Sequence, residues 1–150
     1  MTIPGLSRRT LLFSGLALAV SSTVSACGPR PAGAIELPMA PMSGMPSDVR
    51  SAPVSVQQAY QFAVANPEVL QSIPCYCGCG VMGHTSSYDC YVADQVSDGT
   101  FRFEDHALGC SICVDIVHDT MRMLREGKDL HQVRTAIDQT YSRYGPSNMP

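Results

Sequence analysis

Residues 110–129 read CSICVDIVHDTMRMLREGKD. Within them Cys110, Cys113, Val117, Met121 and Leu124 fall on one stripe of an amphipathic helix running from Cys110 to about Glu126. Gly127 suits the position just past that helix, where the backbone commonly turns left-handed. Asp129 then caps a final helix, with Leu130, Val133, Ile137, Tyr141 and Tyr144 inward and Gly145-Pro146 as its stop. Two helices joined by Gly127-Lys128-Asp129 form a helical hairpin. The fold class follows: mainly α, a small helical bundle built on this hairpin.

Working outward, Val54–Ala65 carries Val56, Tyr60, Ala63 and Val64 at helical spacing, and Pro53 suits a first helical position. Asn66-Pro67 restarts a short helix with Asn66 as its cap, ending near Ser72. Pro74–Gly83, rich in Cys and Gly, reads as a loop. Cys90–Val92 and Thr100–Phe103 flank Asp98-Gly99 and are expected to pair as a short β-hairpin. The expected domain therefore spans 53–145, helical with an irregular Cys-rich lobe. Residues 146–150, including Asn148-Met149-Pro150, read as a short fraying tail.

The remaining segment reads as an address followed by a tether. Arg8-Arg9 precedes a short apolar run from Leu11 to about Val20, and Val24-Ser25-Ala26-Cys27 resembles a bacterial lipobox. The run is too short and too Ser-rich for a good membrane-spanning helix. The expectation is an export signal over 1–26 and lipidation of Cys27, which anchors an extracytoplasmic protein to the bacterial cell membrane. Arg8-Arg9 also resembles a twin-arginine signal, so the export route stays open. Residues 27–52 are Pro-rich and poorly charged, and read as a disordered tether from the lipidated Cys27. Met39, Met42 and Met45 recur there; thioether sulfur is a Cu(I) ligand, but a flexible linker explains them more simply.

Composition narrows the function. With 10 Lys and Arg against 13 Asp and Glu, there is no basic excess to bind nucleic acid. No Walker loop, Ser-His-Asp arrangement or Gly-x-Gly-x-x-Gly is present. Asp115, His118, Asp119 and Arg122 lie on one face of the 110–126 helix and read as a solvated face rather than a cation site, and His131 as a surface residue.

The chemistry resides in the thiols. Besides Cys27, the chain has Cys75, Cys77, Cys79, Cys90, Cys110 and Cys113. Three readings compete. In the first, export to an oxidising space makes them a structural disulfide framework, although neighbours one residue apart cannot bridge without strain. In the second, they bind a metal. Alternate residues of an extended stretch point the same way, about 7 Å apart, and bending at Gly78 would converge the sulfurs of Cys75, Cys77 and Cys79 on one or two ions. Cys110 and Cys113 sit one turn apart at a helix start, where backbone N–H groups favour thiolate, and Cys90 supplies a sixth sulfur. Cu(I) is favoured, with Zn or an iron–sulfur cluster as alternatives, because alternating Cys-x-Cys-x-Cys is not the usual zinc-knuckle spacing. His84 and His106 flank these segments as less favoured further ligands. In the third, Cys110 and Cys113 are a redox pair for thiol–disulfide exchange, although no thioredoxin-like βαβ pattern precedes them.

Pro74-Cys75-Tyr76-Cys77-Gly78-Cys79 resembles the hexapeptide of the PCYCGC-motif family of bacterial lipoproteins. The resemblance continues through Gly83-His84, Asp89-Cys90, His106, Gly109-Cys110, Cys113-Val114-Asp115, Gly127-Lys128 and Ile137-Asp138. It implies that the six thiols, His84 and His106 form one unit. Met123–Lys128 with Tyr144-Gly145 is similar to the thiol-oxidoreductase subunit of cytochrome c maturation, a three-helix bundle, which supports the helical architecture more than a shared reaction. The functional expectation is a lipid-anchored protein that sequesters or hands on a soft metal, transforming no substrate, with a metal-handling or redox protein as partner. The alternatives are the oxidoreductase and the disulfide-stabilised interaction module.

Overall fold

The computed structural model describes residues 35–96 and 99–149. The signal segment, the lipobox and Cys27 lie outside these residues. Among the described residues there are six α-helices and one two-stranded antiparallel sheet. The helices are α1 (Ser47–Ser51), α2 (Val54–Ala65), α3 (Pro67–Leu70), α4 (His106–Gly109), α5 (Ser111–Arg125) and α6 (Leu130–Tyr141). The strands are β1 (Val92–Gln95) and β2 (Phe101–Phe103). No described helix is long and apolar enough to cross a membrane.

The centre of the fold is α5, which packs against α2 on one side and α6 on the other. Its buried face carries Cys113, Val114, Ile116, Val117, Thr120, Met121 and Met123, while Asp115, Arg122 and Arg125 face water. The helix α2 contributes Val56, Ala59, Tyr60, Phe62 and Ala63 to the core, and α6 contributes Val133, Ile137 and Tyr141. Burial of these apolar side chains, at roughly 25 cal/mol per Å² removed from water, holds the helices together. Gly127, with φ +82°, makes the turn out of α5. Asp129 completes a reciprocal capping box with Gln132 at the start of α6, which satisfies two donors otherwise orphaned at a helix start.

Several sequence expectations change in detail. Leu130 and Tyr144 are exposed and Leu124 is half-buried, because the apolar stripe of the hairpin narrows at its ends. Cys110 is the residue preceding α5, in extended conformation, rather than a member of its buried stripe. Asn66 precedes α3 but does not cap it. Its amide donates to Pro38 O and Phe62 O instead, pinning an upstream segment against α2. Cys90 lies in a 3₁₀ turn (Tyr88–Cys90) before the β-hairpin, whose pairs are Val92 with Phe103, Asp94 with Arg102 and Gln95 with Phe101.

The two expected domain boundaries both move outward. Within the segment read as a disordered tether, Ala40, Met45 and Val49 are buried in the core and α1 packs against α2. Ala40 N donates to Gln61 O, and the Gln61 side-chain amide donates back to Ala40 O. The prolines there shape an extended run that wraps the domain rather than leaving it. Met45 serves as core packing. The tail is likewise docked: Asn148 bonds to both backbone groups of Cys75.

Candidate metal centre

The motif segment enters from a buried Ile73 and Pro74. Cys75 and Tyr76 are buried, Cys77 is half-buried, and Cys79 is buried again. The chain can fold the three sulfurs together because Gly78 takes a left-handed φ of +88°, a conformation side chains other than glycine's rarely adopt. Cys79 then begins a 3₁₀ turn (Cys79–Met82), and Gly83, at φ +90°, ends it. From Thr85 to Ser86 the loop is gathered by Asp89, whose carboxylate accepts from Thr85 N, Thr85 Oγ1 and Ser86 N at 2.7, 2.9 and 3.2 Å. Ser87 clamps the return to the entry: its N–H donates to Ile73 O and its hydroxyl to Pro74 O. These polar ties bring Cys90 back beside Cys79.

Two hydrogen-bonded links tie the motif segment to α6 and the residues after it. The Tyr76 hydroxyl donates to Asp138 on α6 at 2.6 Å, and burial with that carboxylate pushes the phenol up to about 12. The second link is the segment that sequence reading assigned to a fraying tail. Asn148 Oδ1 accepts from Cys75 N at 2.7 Å, its N–H donates to Cys75 O at 3.1 Å, and its Nδ2 donates to Ser86 O at 2.9 Å. The same Nδ2 lies 3.6 Å from Cys79 Sγ. Gly145 permits this approach, since a Cβ there would meet Tyr76 O at 2.9 Å.

The result is a packed sulfur cluster. Cys75 Sγ is 3.3 Å from Cys77 Sγ and 3.6 Å from Cys113 Sγ. Cys113 Sγ is 3.5 Å from Cys77 Sγ, and Cys90 Sγ is 3.5 Å from Cys79 Sγ. His106 Nε2, from the start of α4, is 3.3 Å from Cys77 Sγ. His84 Nδ1 is 3.5 Å from Cys90 Sγ, and its ring meets that of His106 edge to face. None of the six described cysteines is in a disulfide. Two sets of four ligand atoms each lie within 4.8 Å of one another: Cys75, Cys77, Cys79 and Cys90, and Cys77, Cys90, His106 and Cys113. Either set could hold a metal ion.

Cys110 belongs to neither set, although its thiol interacts with Cys113 and Cys77 beside it. It is half-buried, in the wall of a groove of about 450 Å³ that is also lined by Val56, Leu108, Val114, Asp115 and His118. His118 faces Ser55 O at 2.9 Å, and Asp119 pairs with Arg122 and accepts from the Tyr141 hydroxyl. On this face of α5, Asp119 is thus tied up with protein partners, while Asp115 is exposed.

Crowding makes the thiols unequal. Cys77 is held well below the ordinary thiol range, chiefly by hydrogen bonding from Cys90, against the cost of its partial burial, with His106 and Cys75 assisting. Cys113 is lowered by hydrogen bonding from Cys75 and Cys90. Cys90 is pushed up by the sulfurs around it, Cys113 first, and Cys79 is raised chiefly by Cys75. Burial raises Cys110. Sulfurs this close cannot all ionise together unless a cation compensates them. Beside them, Tyr91 is fully buried, its hydroxyl has no hydrogen-bond partner, and its phenol is raised by burial and then by Cys113, Cys90 and Cys75.

Sequence reading named every residue of the two sets, but it gave no role in the site to Asn148, Asp89, Ser87 or Tyr91, which build the walls. Comparison with known proteins adds one match: the model of a family described as protein of unknown function with PCYCGC motif covers residues 25–150. No curated protein and no solved structure matches the chain.

Proposed function

The chain belongs to the PCYCGC-motif family, and we propose that it binds a soft metal ion through its clustered thiolates, with Cu(I) as the cargo, for sequestration or delivery outside the cytoplasm. The observation that carries this reading is the pair of four-donor sets, made of five sulfurs and one imidazole nitrogen, in a cluster free of disulfides. Thiolate-rich donor sets select Cu(I), Zn or iron–sulfur centres over hard cations. Compact, mutually touching sulfurs suit a Cu(I)–thiolate centre. A metal also resolves the electrostatic conflict among the thiols, because binding releases their protons and supplies the missing positive charge.

The lipobox-like Val24–Cys27 supports a further part of the reading, in which Cys27 is lipidated and tethers the domain to the bacterial membrane. There a metal-handling or redox protein is the natural partner. The dithiol-exchange alternative has less support. Attack needs an accessible, low-pKa thiolate; burial raises the more accessible Cys110, and the lowered Cys113 is buried.

The test is the intact mass of the full-length chain, purified without chelator, under native and then denaturing conditions. The expected result is extra native mass matching Cu, lost on denaturation, after which the thiols alkylate. Extra mass matching Zn keeps the metal reading and corrects the cargo. A mass short by the hydrogens of paired thiols, with no metal, overturns it in favour of a disulfide scaffold. Lipidation is read separately, as a membrane-extracted form that begins at acylated Cys27.

A further inference from the structure

We infer that the centre holds two soft-metal ions, bridged by the thiolates of Cys77 and Cys90. The inference rests on the metal-binding reading above and specifies its stoichiometry and ligand sets. The two four-donor sets have only Cys77 and Cys90 in common. Cys75 and Cys79 complete the first, and His106 and Cys113 complete the second. An ion bonded to sulfur at about 2.3 Å separates its ligand atoms by about 3.8 Å in a tetrahedral shell. The sulfur separations within the sets, 3.3 Å for Cys75–Cys77 and 3.5 Å for both Cys79–Cys90 and Cys77–Cys113, lie close to that edge. Two such shells sharing one edge describe two ions joined by two bridging thiolates.

One ion is a poorer account of the same residues. Zinc in a thiolate site takes about four donors, and Cu(I) takes no more. A single ion would leave at least two members of this cluster unligated. Cys79, Cys90 and Cys113 are buried, so unligated members would be thiols or uncompensated thiolates in a low-dielectric setting. Two ions use every donor in both sets and halve the number of thiolates each cation must balance. Cys77 sits at the junction, 3.3 Å from Cys75 Sγ on one side and 3.3 Å from His106 Nε2 on the other. The two ions are not equivalent. The first has sulfur donors alone and the second includes the half-buried His106, so the second exchanges first.

The full-length chain carrying Cys27→Ser, reduced and kept anaerobic, is titrated with Cu(I), and in parallel with Zn(II), and weighed by native mass spectrometry. Saturation at two ions is expected. His106→Gln and Cys79→Ser should each saturate at one ion, from opposite sides of the bridge, and Cys90→Ser should hold less than one. Saturation of the unaltered site at one ion, or at three or more, overturns the inference while leaving the metal-binding reading intact. Two ions retained by His106→Gln overturns it as well. No bound ion at all overturns both. Circular dichroism checks that each variant keeps its helices; if Cys79→Ser does not fold, the half-buried His106→Gln decides alone.

Discussion

The α5–α6 hairpin and the motif lobe, residues 74–91, are held together by different physics. The hairpin is regular, and its stability comes from apolar side chains such as Ile116, Val117, Val133 and Ile137, all essentially inaccessible to water. The lobe has only short 3₁₀ turns, bends at two left-handed glycines, and is gathered by Asp89, Ser87, Asn148 and Tyr76. Its interior is sulfur. On the proposed metal-binding reading, the hairpin core away from Cys113 is insensitive to what the thiols hold, whereas the lobe is completed by it. Cys113 belongs to both, since it is a core residue of α5 and a donor of the cluster.

Stripping the metal should separate the two regions most strongly. With metal at about 1,000 times its Kd, mass action gives the bound lobe about 4 kcal/mol. Chelation should withdraw that amount from the hydrogen-exchange protection of amides between Cys75 and Tyr91 while leaving Val133–Ile137 unchanged. Equal loss in both regions would mean that they unfold as one unit. The converse break is Ile137→Ala, which should cost about 3 kcal/mol in chemical denaturation, with and without metal alike, because it opens a cavity in the hairpin.

Smaller effects sharpen the boundary. Asn148→Ala leaves the Cys75 N–H without its partner and should cost about 2 kcal/mol in the lobe. It should also speed metal loss to a competing chelator, with the helical content unchanged. Tyr91→Phe removes a buried hydroxyl that has no partner, and should stabilise the metal-free chain by about 1 kcal/mol in urea unfolding. If that gain vanishes or reverses once metal is bound, the phenol donates to a ligand thiolate in the loaded state.

The regions also differed in how much their sequence disclosed. The hairpin was legible because helical periodicity, a left-handed glycine and a capping aspartate are local signals; the span of α2 and the capping role of Asp129 stand as read. The donors were legible because cysteine and histidine declare their chemistry by type. Their arrangement was not, since it depends on contacts such as Cys75 with Cys113 that no local pattern encodes. Asn148 gave no signal: a single polar residue beyond a Gly-Pro stop looks the same whether it frays or docks. The segment around Met45 misled for a related reason. Proline and small residues describe an extended chain, and an extended chain lying in a groove has the composition of one in water.

The reach of Asn148 also imposes an order of events on the chain. It closes on a residue 73 positions earlier, a contact of long loop and late reward, whereas α5 and α6 meet across a short turn. During synthesis the motif emerges well before the residue that fastens it. Until residue 148 arrives, the sulfurs lack one wall and stay open to whatever thiol-reactive or metal species is at hand. The walls of the candidate centre are thus completed only after every one of its sulfurs has already been made.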